Sequence, residues 1–234
     1  MGINKEDSDS MVKYANLLWE GKGVKINKQK AFKYYKRAIS SDNIDVIAEY
    51  GIRLFEEKEQ QKGMKYIQKA NRKRNKIAQF YLGNEYLKGD YLKFNKKKGL
   101  KLLKKSAKQN YFEAIDELGF IYYKGFKDII KKNVKRSIKY YKIGASKNYP
   151  LCLFNLGVIY MKQSQRIPEC KEKSIHFFQE SANQRYEHAQ LNLGVLYAKG
   201  EINQSINYKE AIKYLIKSSK QNNMKAKFNL VIIY

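Results

Sequence analysis

A twelve-residue pattern that returns along the chain limits the choice of fold more than any other feature of this sequence. It runs from Ala78 as A-Q-F-Y-L-G-N-E-Y-L-K-G, and it returns from Ala114 as A-I-D-E-L-G-F-I-Y-Y-K-G and from Ala189 as A-Q-L-N-L-G-V-L-Y-A-K-G. A shorter version, C-L-F-N-L-G-V-I-Y, starts at Cys152. The first glycine of each return follows the previous one by 32, 36, 38 and 37 residues, at Gly51, Gly83, Gly119, Gly157 and Gly194. A near-fixed period of this size predicts an array of structural repeats.

Each repeat predicts two helices, because apolar residues recur at helical spacing and the alternation typical of strands is absent. Helix A carries the small-x-x-x-L-G-x-x-Y core. Helix B opens on a small residue, continues with a pair of aromatic or leucine residues and closes on a small pair. The predicted B helices are 31–39, 63–71, 99–107, 137–145, 174–182 and 211–219.

The glycine column inside helix A indicates close contact with a neighbouring helix. A glycine in the middle of a helix costs about 1 kcal/mol relative to alanine, so its return in five repeats predicts a packing requirement. The tyrosines three residues later (Tyr86, Tyr122, Tyr160, Tyr197 and Tyr234) are predicted to fill the core on the adjoining face.

Turn residues separate the predicted helices. Gly21, Gly89, Gly125 and Gly200 are expected to end helix A in the left-handed conformation. Asparagines are expected to cap the start of helix B at Asn27, Asn95, Asn133 and Asn207. Further asparagines are expected to close helix B at Asn110, Asn148 and Asn222.

These features divide the chain into six full repeats and a final single helix. The predicted boundaries are 8–45 and 46–77 for two divergent repeats, the second lacking the long A–B loop, then 78–113, 114–151, 152–188, 189–225 and a closing helix at 226–234. The closing helix ends apolar, and three interpretations stay open. It packs as a lone last helix, it precedes further chain, or it forms an oligomer with another molecule.

The two-helix pattern at this period resembles Sel1-like repeats, relatives of the tetratricopeptide repeat. The resemblance spans nearly the whole chain and is clearest in the four repeats from residue 78 onward, whereas Ala15 and Glu57 replace glycines in the first two. It implies an all-α, right-handed α/α solenoid and a role as an adaptor that gathers other proteins. It implies no substrate.

The charge of the chain indicates which kinds of partner it would attract. The formal net charge is +26, from 48 basic and 22 acidic residues, which predicts attraction to anionic partners. Only seven of the basic residues are arginines, and lysine lacks the rigid fork suited to phosphate. A biased coding sequence explains the lysine excess as well as selection does.

Cysteine usage and the N-terminus bear on the compartment. The two cysteines, Cys152 and Cys170, indicate no disulfide scaffold. The first residues, M-G-I-N-K-E-D, contain no apolar signal region, and no apolar run approaches the length of a membrane span. A cytoplasmic or other reducing compartment is therefore expected.

Catalysis finds little support in the sequence. His176 and His188 lie in different predicted elements, without cysteine or acidic residues at the spacing of metal ligands. Packing or surface exposure explains both histidines. No enzymatic activity and no cofactor are predicted.

One row of polar residues on helix A is a candidate binding site for protein segments. The third position after the small residue holds Glu117, Asn155, Asn192 and Asn229, and the three asparagines stand 37 residues apart. The resemblance implies that helix A lines a concave groove, where an asparagine amide both donates and accepts hydrogen bonds. The alternative, a solvated stripe on an otherwise buried helix, stays open.

A second candidate surface is basic. Residues 62–147 hold 25 basic and 6 acidic residues. Cationic residues recur at i, i+3, i+4 and i+7 in helix B of repeats three and four, which predicts a basic face of Lys101, Lys104, Lys105, Lys108, Lys132, Lys135, Arg136, Lys139 and Lys142. It would attract an acidic protein or nucleic acid, or it is simply a solvated helix face.

Two functional hypotheses follow. The first is a non-enzymatic scaffold that binds proteins or peptides, acidic ones included, along the concave face. The second is a nucleic-acid-associated protein that uses the lysine-rich face.

Overall fold

A computed structural model of the chain describes residues 5–126 and 129–233, and these contain helices and no β-strand. In chain order the helices are α1 (Lys5–Glu20), α2 (Lys28–Ala38), α3 (Ile44–Glu56), α4 (Gln60–Arg72), α5 (Lys76–Lys88), α6 (Lys96–Lys108), α7 (Phe112–Lys124), α8 (Val134–Ala145), α9 (Pro150–Ser164), α10 (Cys170–Asn183), α11 (Glu187–Ala198), α12 (Tyr208–Ser219) and α13 (Met224–Ile233). Odd-numbered helices are the predicted A helices and even-numbered ones the B helices. The predicted fold class, an all-α solenoid of helix–turn–helix repeats closed by a single helix, is confirmed.

The chain forms two compact units, Met1–Ala114 and Ile115–Tyr234. The first unit contains three A–B pairs, α1–α2, α3–α4 and α5–α6. The second contains α8, the α9–α10 and α11–α12 pairs, α13 and most of α7.

Asparagine caps set the start of helix B as predicted. The side-chain oxygens of Asn27, Asn95, Asn133 and Asn207 each accept from the backbone N–H three residues later, at 2.9–3.0 Å. These bonds satisfy a donor that the first helical turn leaves unpaired, which typically contributes about 1 kcal/mol. Because the cap lies four residues before the small residue, helix B begins a turn earlier than the core pattern suggests.

The predicted stop signals adopt the left-handed backbone. Gly89 and Gly125, which follow helix A, have φ of +80° and +81°. Asn110 and Asn148, which follow helix B, have φ of 56°. The same conformation occurs at Arg74 and Arg185, where the residue type provides no signal.

The glycine column lets helix B approach helix A. A Cβ atom added at Gly157 would lie 2.6 Å from the ring of Phe178, and one at Gly119 would lie 2.5 Å from the ring of Tyr141. Both aromatic side chains are buried. In two other repeats a buried leucine of helix B takes this place, Leu103 against Gly83 and Leu215 against Gly194. The packing role predicted for the column is confirmed.

In three of the helix pairs, a serine near the end of helix B bonds back to the first turn of helix A. Ser106 donates to the carbonyl of Lys76 at 2.7 Å, and Ser181 donates to the carbonyl of Pro150 at 2.7 Å. Ser218 makes the equivalent bond to Glu187 at 2.9 Å. In these three repeats the small pair that closes helix B therefore allows close packing and also supplies a partly buried hydrogen bond.

The tyrosine column differs from the prediction of buried core fillers. Tyr122 is buried, whereas Tyr86, Tyr160 and Tyr197 are only half-buried, and Tyr234 lies outside the described residues. Three of these rings stack nearly parallel on an aromatic ring of helix B, in the pairs Tyr122–Tyr140, Tyr160–Phe177 and Tyr197–Tyr214, with centroids 5.6–5.8 Å apart. Each of these rings is thus shielded on one face, and Tyr160 and Tyr197 stay partly exposed to solvent.

Candidate functional site

The predicted binding row lies on four A helices of the second unit. Glu117 is on α7, Asn155 on α9, Asn192 on α11 and Asn229 on α13, and all four side chains are half-buried. Helices α11 and α13 are in contact, with Leu191 and Leu230 packed in one apolar cluster next to the two asparagines. Whether the row binds a partner remains a prediction.

The three asparagines of this row differ in their hydrogen bonds. The amide of Asn155 donates to the carboxylate of Asp116 at 2.9 Å. Among the residues that the structure describes, the amides of Asn192 and Asn229 make no hydrogen bond. The residues that correspond to Asp116 in the next two repeats are Phe154 and Leu191, which have no side-chain acceptor. Within residues 5–126 and 129–233, these two amides thus differ from that of Asn155 in having no hydrogen-bond partner.

The first unit holds a partly buried polar network that the sequence patterns do not predict. The amide of Asn16 donates to the carboxylate of Glu49 at 3.0 Å, and its oxygen accepts from the hydroxyl of Tyr35. The guanidinium of Arg53 donates to Tyr35 at 3.4 Å and to Glu56 at 3.0 Å, and it lies 5.2 Å from the centre of the Trp19 ring. We call these residues the Arg53 network. Because its members come from three helices, no local sequence pattern predicts the network.

Burial controls the ionisation of this network. Desolvation raises the pKa of Glu49 above its ordinary value, although the Asn16 amide and the Arg53 charge oppose the shift. Desolvation likewise raises the pKa of Tyr35 to about 12. Asn16, Tyr35 and Arg53 hydrogen-bond to one another or to Glu49 across three helices, which indicates a structural role in joining the first two repeats.

Glu49→Gln is expected to raise the free energy of unfolding at pH 7. A carboxyl whose pKa is raised on folding contributes its stability below its ordinary pKa of 4.5, and that contribution is lost as the pH rises through the folded value. A glutamine stays neutral and still accepts from Asn16, so the gain at neutral pH is about 1.4 kcal/mol for each unit of pKa elevation. Urea unfolding of both proteins between pH 4 and pH 8 measures it.

The gain should disappear at pH 4, where Glu49 is protonated in both states. Glu113→Gln is the matched control, because Glu113 is exposed and lies outside the Arg53 network. A stability gain that is equal for both variants, or that persists at pH 4, would contradict the explanation.

The predicted basic face is divided between the units. Lys101, Lys104, Lys105 and Lys108 lie on α6, and Lys135, Arg136, Lys139 and Lys142 lie on α8; all are exposed. Lys132 was expected on the same helix, but it precedes the Asn133 cap and therefore lies in the loop. That a partner binds these residues stays a prediction.

Charge is distributed by helix type. Helices α2, α4, α6 and α8 carry five, four, seven and four basic residues, and none of them carries an acidic residue. In contrast, α1 carries four acidic residues, and α3 and α7 carry three each. The basic excess is therefore concentrated on the B helices of the first four repeats.

The histidines and cysteines do not assemble a reactive centre. His188 packs against Phe154 and Tyr186 and lies 3.3 Å from the amide of Asn223, while His176 contacts the ring of Phe177. Both cysteines are buried and unpaired, and burial raises the pKa of the Cys152 thiol far above its usual range. Within residues 5–126 and 129–233, no cluster of histidine, cysteine or acidic side chains could hold a metal ion. No described helix is long and apolar enough to cross a membrane.

Stacked A–B helix pairs, close-packed through a glycine column, define an α/α-solenoid repeat protein. The sequence model of the Sel1 repeat matches residues 8–43, 76–111, 113–149, 150–186 and 187–223. The chain belongs to the Sel1 repeat family. No match falls on the short second repeat, and the boundaries predicted from the sequence stay predictions.

Solved structures with the same fold share little sequence with this chain. A Sel1 repeat protein from Oxalobacter formigenes has a TM-score of 0.71 at 22% identity, over 92% of this chain and 88% of that one. The protective antigen c5321 of uropathogenic Escherichia coli has a TM-score of 0.69 at 20% identity, over 98% of this chain and 49% of that one. The immunity protein PA5088 of Pseudomonas aeruginosa has a TM-score of 0.65 at 14% identity, over 96% and 88%.

The chain thus spans about half the length of c5321. No sequence among curated proteins matches it significantly. At these identities the likenesses show the fold alone.

Proposed function

We propose that this protein is a non-enzymatic scaffold that binds a segment of another protein along the A-helix row of its second unit. Sel1 repeat proteins generally mediate protein–protein interaction, and the family is generally non-catalytic. The observation that carries the proposal is the pair of half-buried, unbonded amides at Asn192 and Asn229.

An amide at such a position suits the recognition of a polypeptide backbone. Its NH2 group donates to a carbonyl and its oxygen accepts from an N–H group, so one side chain pairs with both groups of a peptide unit. The apolar side chains of Leu191 and Leu230 beside the two asparagines partly exclude water, which strengthens such bonds. Asn155 is held by Asp116 and would position the neighbouring helices rather than contact the partner.

Asn192→Ala is expected to weaken capture of protein partners without changing the melting temperature, because its amide makes no bond within the described chain. Affinity purification from native lysate, followed by mass spectrometry, measures the capture. It is run with and without nuclease, at low and high salt.

Asn155→Ala is the matched control. It removes a hydrogen bond to a carboxylate, which typically contributes about 1.5–3 kcal/mol, so it should lower the melting temperature. If Asn192→Ala lowers the melting temperature as much as the control, the residue is structural and the proposal fails at this position.

Nucleic-acid binding is the second candidate, favoured by the basic B helices. Binding of this kind would be lost with moderate salt, and the captured material would be sensitive to nuclease. If every partner recovered from lysate disappears under both treatments, this second function replaces the first.

A further inference from the structure

Helix α6 presents the most strongly charged surface of the first unit. It contains seven lysines and no acidic residue. Lys97, Lys101, Lys104, Lys105 and Lys108 are exposed, and none of them forms an ion pair with a described residue. These five cations lie along about 16 Å of helix and repel one another. An anionic partner would reduce this repulsion.

The lysines surround an apolar floor. A trough of about 830 Å³ on α6 is lined by Leu100 together with Lys96, Lys97, Lys101, Lys104, Lys105 and Lys108. Leu100 is half-buried, and it lies one helical turn from Lys97 and from Lys104. Lysine stems are themselves apolar, so the trough combines aliphatic walls with a rim of charged ammonium groups.

We infer that α6 is a docking surface for an acidic protein segment with one apolar anchor: its carboxylates pair with the lysine rim, and the anchor packs on Leu100. The inference deepens the proposed scaffold function, on which it rests, and adds a second contact surface to the A-helix row. The lysines recur every three to four residues, which matches the spacing of carboxylates along one face of a partner helix.

The chemistry of α6 favours protein over nucleic acid. Its sequence, K-K-K-G-L-K-L-L-K-K-S-A-K, contains no arginine for bidentate phosphate contacts and no aromatic ring on which a base could stack. Leu100 would contribute to binding only if the partner places an apolar side chain against it. A coding bias that adds lysine would not by itself remove every carboxylate from this exposed helix.

The test is a fluorescence titration of the full chain with a labelled 14-residue peptide of glutamate and alanine around one central leucine. The triple variant Lys101→Gln, Lys104→Gln, Lys108→Gln should bind about tenfold more weakly, since each exposed ion pair contributes a factor of about two to five. The matched control is Lys65→Gln, Lys69→Gln, Lys73→Gln, which removes the same charge from exposed positions outside α6. Equal losses in both variants would mean that net charge alone governs binding, and would overturn the inference.

A charge-retaining variant separates loss of contact from loss of folding. Lys101→Arg, Lys104→Arg, Lys108→Arg should bind within about threefold of the original chain, because exposed pairs depend mainly on charge. A tenfold loss in this variant too would assign the effect to disrupted structure and overturn the docking surface.

The anchor is tested with Leu100→Ala. This variant should bind the leucine peptide several-fold more weakly, and its affinity for a peptide with alanine in place of the leucine should not change. The reason is that contact between two leucine side chains removes apolar surface from water, which strengthens binding. An unchanged affinity for the leucine peptide would remove the apolar anchor from the proposal.

Two further ligands decide the class of partner. A 14-nucleotide single strand and vesicles of phosphatidylserine and phosphatidylcholine should each compete more weakly than the leucine peptide. Tighter binding of either one at α6 would overturn the inference.

The two proposals fail under different results. If the α6 triple variant still captures the Asn192-dependent partners but binds the peptide like the control, this inference fails and the scaffold function stands. If the peptide binds α6 and lysate yields no protein partner, the scaffold function fails instead.

Discussion

Gly157→Leu is expected to lower the free energy of unfolding by about 3 kcal/mol or more, the upper end of the usual cost of overpacking a core. Even the first added atom would lie 2.6 Å from two ring carbons of Phe178. The ring has no space to retreat, because its side chain is buried in a cluster with Ala182, Ala189 and Leu193. The helices α9 and α10 would have to separate.

Urea unfolding followed by circular dichroism measures this loss, and hydrogen exchange locates it. Because a repeat contacts mainly its neighbours, faster exchange should be concentrated in α9, α10 and α11. Lys162→Leu is the matched control, since it adds the same side chain to an exposed position of α9. If Gly157→Leu melts like the control, close packing does not explain the glycine column.

Phe178→Ala is expected to destabilise the protein by about 3–5 kcal/mol, the usual cost of removing a buried phenylalanine. The ring is 1% exposed and contacts Phe154 at a centroid distance of 5.7 Å. Urea unfolding measures the effect. Phe177→Ala, one residue earlier, should cost less, because that ring is only half-buried.

The two sites should be coupled. Removing the ring creates space where a side chain at position 157 would lie, so Gly157→Ala should cost less in the Phe178→Ala protein than in the original chain. Contacting residues commonly show coupling of about 0.5–3 kcal/mol in a double-mutant cycle. Additive effects would indicate that the two residues do not share this contact.

The binding predictions depend on residues that vary between repeats, whereas the stability predictions depend on residues that recur. The helix pairs are held by glycines, serines and buried aliphatic residues that recur in most repeats. Other positions instead vary from repeat to repeat: Asn155 binds Asp116, whereas Phe154 stands at the position of Asp116 in the repeat before Asn192, and α6 carries seven lysines. This separation of packing positions from variable ones allows one scaffold to present several contact surfaces.

The sequence by itself determined the helices, their caps and the glycine contact. These features depend on residues close in the chain: Asn95 caps a helix that begins at the next residue, and Gly89 ends the helix directly before it. The repetition then made the pairing of helix A with helix B predictable, since each repeat has the same small and large positions.

Only the tertiary structure decided which polar groups are already occupied. Asn155 and Asn192 occupy the same position of the repeat, yet the Asp116 carboxylate that binds Asn155 lies 39 residues away in the preceding repeat. The Arg53 network likewise joins Asn16, Tyr35 and Glu49 from three helices. Lys132 follows the core spacing but lies outside the helix, because the cap at Asn133 sets where α8 begins. Hydrogen bonds between distant residues depend on which side chains the packed helices bring within about 3 Å, and a single sequence does not contain that distance.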